Sequence, residues 1–213
     1  MRFSFIKILF NCFLVDYRNK DITKDSLTGD FKQEKTMKVE ILDLTEKNLK
    51  DVPEWKTYPF SCKYCLYWEL PREYEVSKTK IKEDLLREKL RWIENTRKNF
   101  GNCGKLLYLN GIAVGYAQYA PPDFFPRLGD YRSDAVLISC LFIPYRDLRG
   151  IGLGTKLLHS IIEDLRKRGI KAVETYARKG NSENPSGPVE FYLKNGFRIH
   201  REDPEFPLMR LDL

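Results

Sequence analysis

Residues 135–144 read AVLISCLFIP, residues 149–155 read RGIGLGT, residues 157–165 read LLHSIIEDL, and Gly169 precedes a second apolar run at 170–177. The first run is apolar almost throughout and stops at Pro144, as expected of a central strand covered on both faces. Leu153, Leu157, Leu158, Ile161, Ile162 and Leu165 then trace one face of a helix, and Gly169 suits the left-handed position that ends it. The order strand, glycine turn, helix, strand is a βαβ unit, with the right-handed crossover such units adopt.

Upstream, residues 105–109 and 112–119 flank Asn110-Gly111, a pair that tolerates the positive φ angles of a two-residue hairpin turn. An antiparallel pair is therefore expected before the βαβ unit. Residues 77–100 read as a long amphipathic helix, with Ile81, Leu85, Leu86, Leu90 and Ile93 at helical spacing and Gly101 at its end. Residues 59–71 are aromatic and irregular around Cys62 and Cys65, which suggests a substrate-facing loop. Residues 37–44 alternate as a strand with Val39 and Ile41 on one face, and Thr45 is expected to cap a short helix closed by Pro53. Downstream, residues 188–195 read as a short helix ending at Gly196, followed by strands from Phe197 and near 208–213. The fold class is therefore α/β with a mixed sheet: antiparallel N-terminal strands, then βαβ, flanked by helices.

The chain has 213 residues, of which 42% are hydrophobic and 31% charged, enough for one sizeable core and no comfortable second domain. Residues 37–213 are expected to form that domain, and residues 1–36 a dispensable extension. The apolar start is interrupted by Lys7 and Asn11, lacks a small-residue cleavage pattern, and falls short of the roughly 20 apolar residues of a membrane span. It reads as neither a signal peptide nor a stable membrane insertion, and Met37 is a candidate translation start. Five cysteines, Cys12, Cys62, Cys65, Cys103 and Cys140, form no dense disulfide framework and suit a reducing, cytoplasmic location.

The glycine turn is where an anion would bind. Glycines let an anion approach backbone amides, and the helix dipole favours negative charge there. The spacing Gly150-x-Gly152-x-Gly154 fits a dinucleotide fold badly, and the lysine of a nucleotide-binding P-loop is missing before Thr155. Glycines that merely permit a tight strand-to-helix turn are the structural alternative.

The segment from Pro144 to Leu158, PYRDLRGIGLGTKLL, resembles the acetyl-coenzyme A signature of the GNAT superfamily of N-acetyltransferases, Arg/Gln-x-x-Gly-x-Gly/Ala, with Arg149, Gly152 and Gly154 at its fixed positions. Residues 188–197, PVEFYLKNGF, resemble the family's second landmark, Phe-Tyr-x-x-x-Gly-Phe. The resemblance implies that the amides of Arg149, Gly150, Ile151, Gly152, Leu153, Gly154 and Thr155 hold a pyrophosphate. It implies also that the strand edge at Leu141, Phe142 and Ile143 pairs with the pantetheine arm by strand addition. Acetyl-coenzyme A would be the acyl donor, passing its acetyl directly to a small-molecule or peptide amine, and a homodimer is compatible with the family. Tyr192 matches the tyrosine that protonates the leaving thiolate, with packing on the coenzyme-covering helix as its structural alternative. An amide near Phe142 would face the oxyanion.

The general base is open among Glu69, Glu73, Asp123, Asp134 and Glu174. Two departures from the family pattern are Pro188, where relatives carry alanine, and the stiff approach Asn184-Pro-Ser-Gly187, which puts a coenzyme contact by Asn184 in doubt. Cys62-x-x-Cys65 has no second pair to complete a zinc site, so no metal is expected. Cys140 is expected in the core, with a role as acyl carrier a minor alternative, and His159 is expected among apolar residues of its helix. The net charge of +7 leaves a nucleic-acid-binding module as an alternative class, and a coenzyme-binding sensor without turnover as another.

Overall fold

The hairpin at Asn110-Gly111 organises one half of the sheet. Asn110 has φ 50° and Gly111 φ 83°, the left-handed pair such a turn requires, and β2 (Gly104–Leu109) folds onto β3 (Ile112–Ala120). Strand β1 (Val39–Asp43) pairs antiparallel with β2, and β3 pairs antiparallel with β4 (Val136–Phe142). Strand β5 (Ala172–Tyr176) lies parallel to β4. The chain then forms β6 (Arg198–Arg201) and β7 (Leu208–Asp212), and β7 inserts between β5 and β6. The order is β1-β2-β3-β4-β5-β7-β6, a mixed sheet as the sequence predicts. The computed structural model describes residues 37–54, 61–74, 81–180 and 184–213, with Met37–Leu213 forming one compact unit. The expected extension at 1–36, Tyr58, Phe60 and the first expected residues of the long helix from Ser77 lie outside the described residues.

Helix α1 (Lys82–Asn99) covers one face of the sheet and α2 (Leu153–Lys167) the other. All six residues of the predicted α2 stripe, Leu153, Leu157, Leu158, Ile161, Ile162 and Leu165, are buried. Each contributes on the order of 2 kcal/mol by leaving water. Helix α2 ends at Gly169 with φ 74° as anticipated. His159, by contrast, is exposed: it lies outside the apolar stripe and belongs to the solvent face. Thr45 caps no α-helix either. Its N–H donates to Asn48 Oδ1 at 2.7 Å, and only a 3-10 turn, Leu49–Asp51, follows. The third helix, α3 (Val189–Lys194), starts after Pro188, as expected for a residue without an N–H.

Two irregularities open the sheet. On β3–β4, Gln118 faces Cys140 but Tyr119 faces Ile138, so Ser139 is an extra residue in β4, a bulge that bends and twists the strand. On β4–β5, pairing covers only Val136 with Val173 and Leu137 with Glu174. Beyond Leu137 the two parallel strands diverge, bridged by the Thr175 hydroxyl, which donates to the Ile138 carbonyl at 2.9 Å.

Candidate active site

The gap between β4 and β5 brings the two sequence motifs together. Gly150 (φ 78°) and Gly152 (φ 87°) both hold left-handed conformations that a side chain resists, and a Cβ on either would meet nothing within 4 Å. The outward side of the turn is therefore open backbone. Gly152 is the N-cap of α2, and its carbonyl accepts from Lys156 N–H at 3.0 Å. The N–H groups of Leu153, Gly154 and Thr155 are thus the unpaired first-turn donors at the positive end of the helix. Gly154 serves packing: a Cβ there would sit 3.4 Å from the Phe191 ring on α3, so the glycine lets the two motif helices touch.

Arg149 plays a different part from the one its motif position suggests. Its N–H donates to the Arg146 carbonyl at 3.0 Å. Its guanidinium donates to the carbonyls of Ile143 at 2.9 Å and Pro144 at 3.2 Å, and lies over the Phe142 ring. Arg149 therefore ties the end of β4 to the turn. Ile151 is half exposed at the tip.

Tyr192 is fully buried on α3, and its hydroxyl finds no hydrogen-bond partner among the described residues. Burial pushes its pKa up, with the nearby Thr175 hydroxyl pulling the other way without reaching bonding geometry. A buried phenol left without a partner costs about 1–3 kcal/mol. The ring lies under Gly187, whose Cβ, if present, would be 3.2 Å from Tyr192 Cε2 and 3.4 Å from the hydroxyl. Around Gly187 the turn is held by Asn184: its Oδ1 accepts from Ser186 N–H at 2.9 Å and its carbonyl from Gly187 N–H at 2.8 Å. Within this turn the Pro185 carbonyl accepts from Leu141 N–H at 2.9 Å. The Leu141 side chain, like those of Ile143 and Tyr192, belongs to the core under α2, whereas Cys140 packs on the α1 face.

The acidic residues considered as bases separate clearly. Glu174 is buried, receiving Arg210 at 3.0 Å and the Tyr131 hydroxyl at 2.7 Å. Asp134 binds Arg210 through both oxygens, at 2.8 and 3.1 Å. Asp123 is exposed, 3.7 Å from Arg132, and Glu73 is exposed. Glu69 alone of the five lines the cleft beside α1. The thiols are poorly suited to carry an acyl group, because only thiolates are good nucleophiles. A hydrogen bond with Cys62, together with burial, pushes the Cys140 thiol well above its usual range, and burial raises Cys65 to about 11. No group of three or more metal-ligating side chains is assembled among the described residues, and no helix there is long and apolar enough to cross a membrane.

The model of the acetyltransferase (GNAT) family matches residues 64–197, which span helix α1, the glycine turn and α3. The chain belongs to the GNAT acetyltransferase family. Among solved structures it is similar to the PaiA N-acetyltransferase of Thermoplasma acidophilum in complex with coenzyme A, at 18% identity over 83% of this chain and 100% of that one, with a TM-score of 0.53. It is similar also to a ribosomal-protein-alanine N-acetyltransferase of Brucella melitensis, at 22% identity over 82% of this chain and 99% of that one, with a TM-score of 0.53. An N-acetyltransferase of Staphylococcus aureus gives 14% identity, 82% and 98% coverage and a TM-score of 0.54. These likenesses concern the fold. No curated protein matches the chain in sequence.

Proposed function

We propose that the domain formed by residues 37–213 transfers an acetyl group from acetyl-coenzyme A directly to a primary amine. The observation that carries this reading is the Tyr192 hydroxyl, buried, protonated and without a partner, beside the place where β4 and β5 part. Bound acetyl-coenzyme A supplies an acyl group already activated as a thioester. The residues present fit it: the open backbone at Gly150 and Gly152 and the first-turn amides of Leu153, Gly154 and Thr155 suit a pyrophosphate, and the edge of β4 from Leu141 to Ile143, beyond its pairing with β5, suits an arm bearing amides that takes over the Leu141 N–H from Pro185.

In this reading Tyr192 holds the proton that a leaving thiolate requires, and its raised pKa keeps that proton in place at neutral pH. In the same reading an amide near Phe142 faces the developing oxyanion. Arg149 positions the end of β4 and contributes through its side chain rather than its amide. The interspersed charge needs no nucleic acid to explain it, and a cytoplasmic location agrees with the free thiols of Cys62, Cys65, Cys103 and Cys140. Incubation with acetyl-coenzyme A and a library of amines, with mass spectrometry of the products, tests the assignment. An acetylated amine formed in step with released coenzyme A supports it, and thioester hydrolysis alone contradicts it.

A further inference from the structure

Tyr192 approaches the divergence of β4 and β5 from the α2 face. The other face is roofed by residues 61–74 and α1, with Trp68 stacked on Tyr176 of β5 at 5.8 Å. Beneath this roof lies a polar network that acetyl-donor binding does not use. Lys89, 2% exposed, donates to Glu69 Oε1 and, at 3.2 Å, to Gln118 Oε1. Gln118 Nε2 donates to the same Glu69 oxygen at 2.7 Å, and the Tyr116 hydroxyl donates to Gln118 Oε1 at 2.5 Å. Burial pulls the Lys89 ammonium down, but Glu69 and Cys65 outweigh it and hold the pKa above its usual value. A buried ion pair of this kind adds little stability over apolar residues of equal volume.

The position of the network is informative. Gln118 faces Cys140 and Tyr116 faces Phe142 across the β3–β4 register, so the network overlies the stretch of β4 beyond its pairing with β5. At its outer end Glu69 also lines a cleft of about 390 Å³ with Leu66, Leu70 and Trp92 as apolar walls and Glu88 and Arg91 on α1. Glu69, its side chain only 4% exposed, is therefore the one of the five candidate carboxylates that links the cleft to the network over β4. Both of its bonds fall on Oε1, which leaves the lone pairs of Oε2 for a further donor.

Building on the acetyl-transfer reading above, we propose that this cleft is the acceptor site: Glu69 receives the ammonium of a primary amine whose apolar arm, about one amino-acid side chain in size, lies on Leu66, Leu70 and Trp92. The ammonium gives one proton to Glu69 Oε2, leaving a neutral nitrogen with its lone pair free to attack. Lys89 is a positioning residue that holds Glu69 through Oε1 and leaves Oε2 to the amine. Glu88 in the cleft lining makes a polyamine the competing acceptor, against which the buried Lys89 ammonium and the apolar walls act. Arg91, exposed at the cleft, is placed for a carboxylate or carbonyl next to the amine.

The test uses the full chain with coenzyme A bound and four probes: L-leucinamide, L-leucine, a hexapeptide beginning with leucine, and spermidine. Equilibrium titration of L-leucinamide into the wild-type complex is expected to show binding that weakens about 10- to 100-fold in Glu69→Gln, the range of a charge-assisted hydrogen bond. Coenzyme A affinity is expected to stay within about twofold. In turnover Glu69→Gln, which cannot take the proton, also lowers kcat by about 10²- to 10⁴-fold. Lys89→Met weakens amine binding and Lys89→Arg restores most of it, whereas a merely structural lysine would move coenzyme A binding and the midpoint of unfolding together. Leucine, its amide and the peptide distinguish a free amino acid from a chain terminus as the source of the same chemistry. Unchanged leucinamide binding in Glu69→Gln, or tighter Glu69-dependent binding of spermidine, overturns the proposal. If the wild type acetylates no amine, the acetyl-transfer reading fails, and the leucinamide titration still decides the acceptor site.

Discussion

The carbonyl of Pro185 accepts a hydrogen bond from the amide of Leu141 at 2.9 Å, so a turn that follows β5 occupies the edge of β4 just past the point where the two strands part. An arm that adds to this edge as a strand needs the same N–H. Donor binding and the Pro185 contact are therefore mutually exclusive at Leu141.

The Asn184 side chain braces that turn through Ser186 N–H. Asn184→Ala is expected to speed coenzyme A association several-fold with a small effect on global stability, as stopped-flow fluorescence would record. Association unchanged by the substitution and linear in ligand concentration would show that the turn does not gate the edge.

Tyr192→Phe removes an unpartnered hydroxyl and nothing else, so the fold is expected to be as stable or slightly more stable. Loss of a general acid lowers turnover by about 10²- to 10⁴-fold. Steady-state kinetics should show this fall in kcat with the coenzyme A Kd unchanged. Because burial raises the Tyr192 pKa, deprotonation of this residue is not expected to impose an alkaline decline on kcat below about pH 10.

Two glycines predict opposite phenotypes. A Cβ at Gly104 would lie 2.7 Å from Leu44 Cδ2 and 2.8 Å from the Ala117 carbonyl, so Gly104→Ala should cost about 1–3 kcal/mol in urea unfolding and leave ligand affinity intact in the folded fraction. A Cβ at Gly152 meets nothing but would stand over the first-turn amides at φ 87°. Gly152→Ala should cost about 1–3 kcal/mol of backbone strain and also weaken coenzyme A binding more than about tenfold, measured by calorimetry.

Burial raises the thiols of Cys65 to about 11 and Cys103 to about 12, from 9.0. Native chains then retain protons that unfolded chains release, so the stability these thiols contribute is present below pH 9 and is lost as pH rises through about 11 to 12. Thiol labelling at pH 8 should be slow in the native protein and fast in urea, and the urea midpoint should fall steadily above pH 9. Rapid native labelling of Cys103 would contradict its burial.

Much of this was legible from local pattern. The Asn110-Gly111 turn, the α2 stripe and the uniformly apolar β4 declare themselves because each depends on residues close in sequence. The insertion of β7 between β5 and β6 does not, because pairing partners are set by long-range packing rather than by either strand's composition. His159 was misjudged because it adjoins Leu158 in sequence while lying outside the stripe on the helix. The glycine motif marks the turn in sequence, while the different surroundings of Gly152, open on its outer side, and Gly154, 3.4 Å from Phe191 at its Cβ position, arise from the packing of α3 against α2. The commitment of the Arg149 amide to the Arg146 carbonyl was hidden as well. Glu69 stood among five carboxylates until the bonds to Lys89 and Gln118 tied it to β4.

The decisive measurement is single-turnover transfer from carbon-labelled acetyl-coenzyme A in the presence of the amine library, with product identified by mass spectrometry in wild type and Tyr192→Phe. The expected result is a labelled N-acetyl amine formed in equal amount to coenzyme A by the wild type, and formed far more slowly by the variant. Tight coenzyme A binding with no labelled amine from any acceptor, or equal rates in the two proteins, would contradict it.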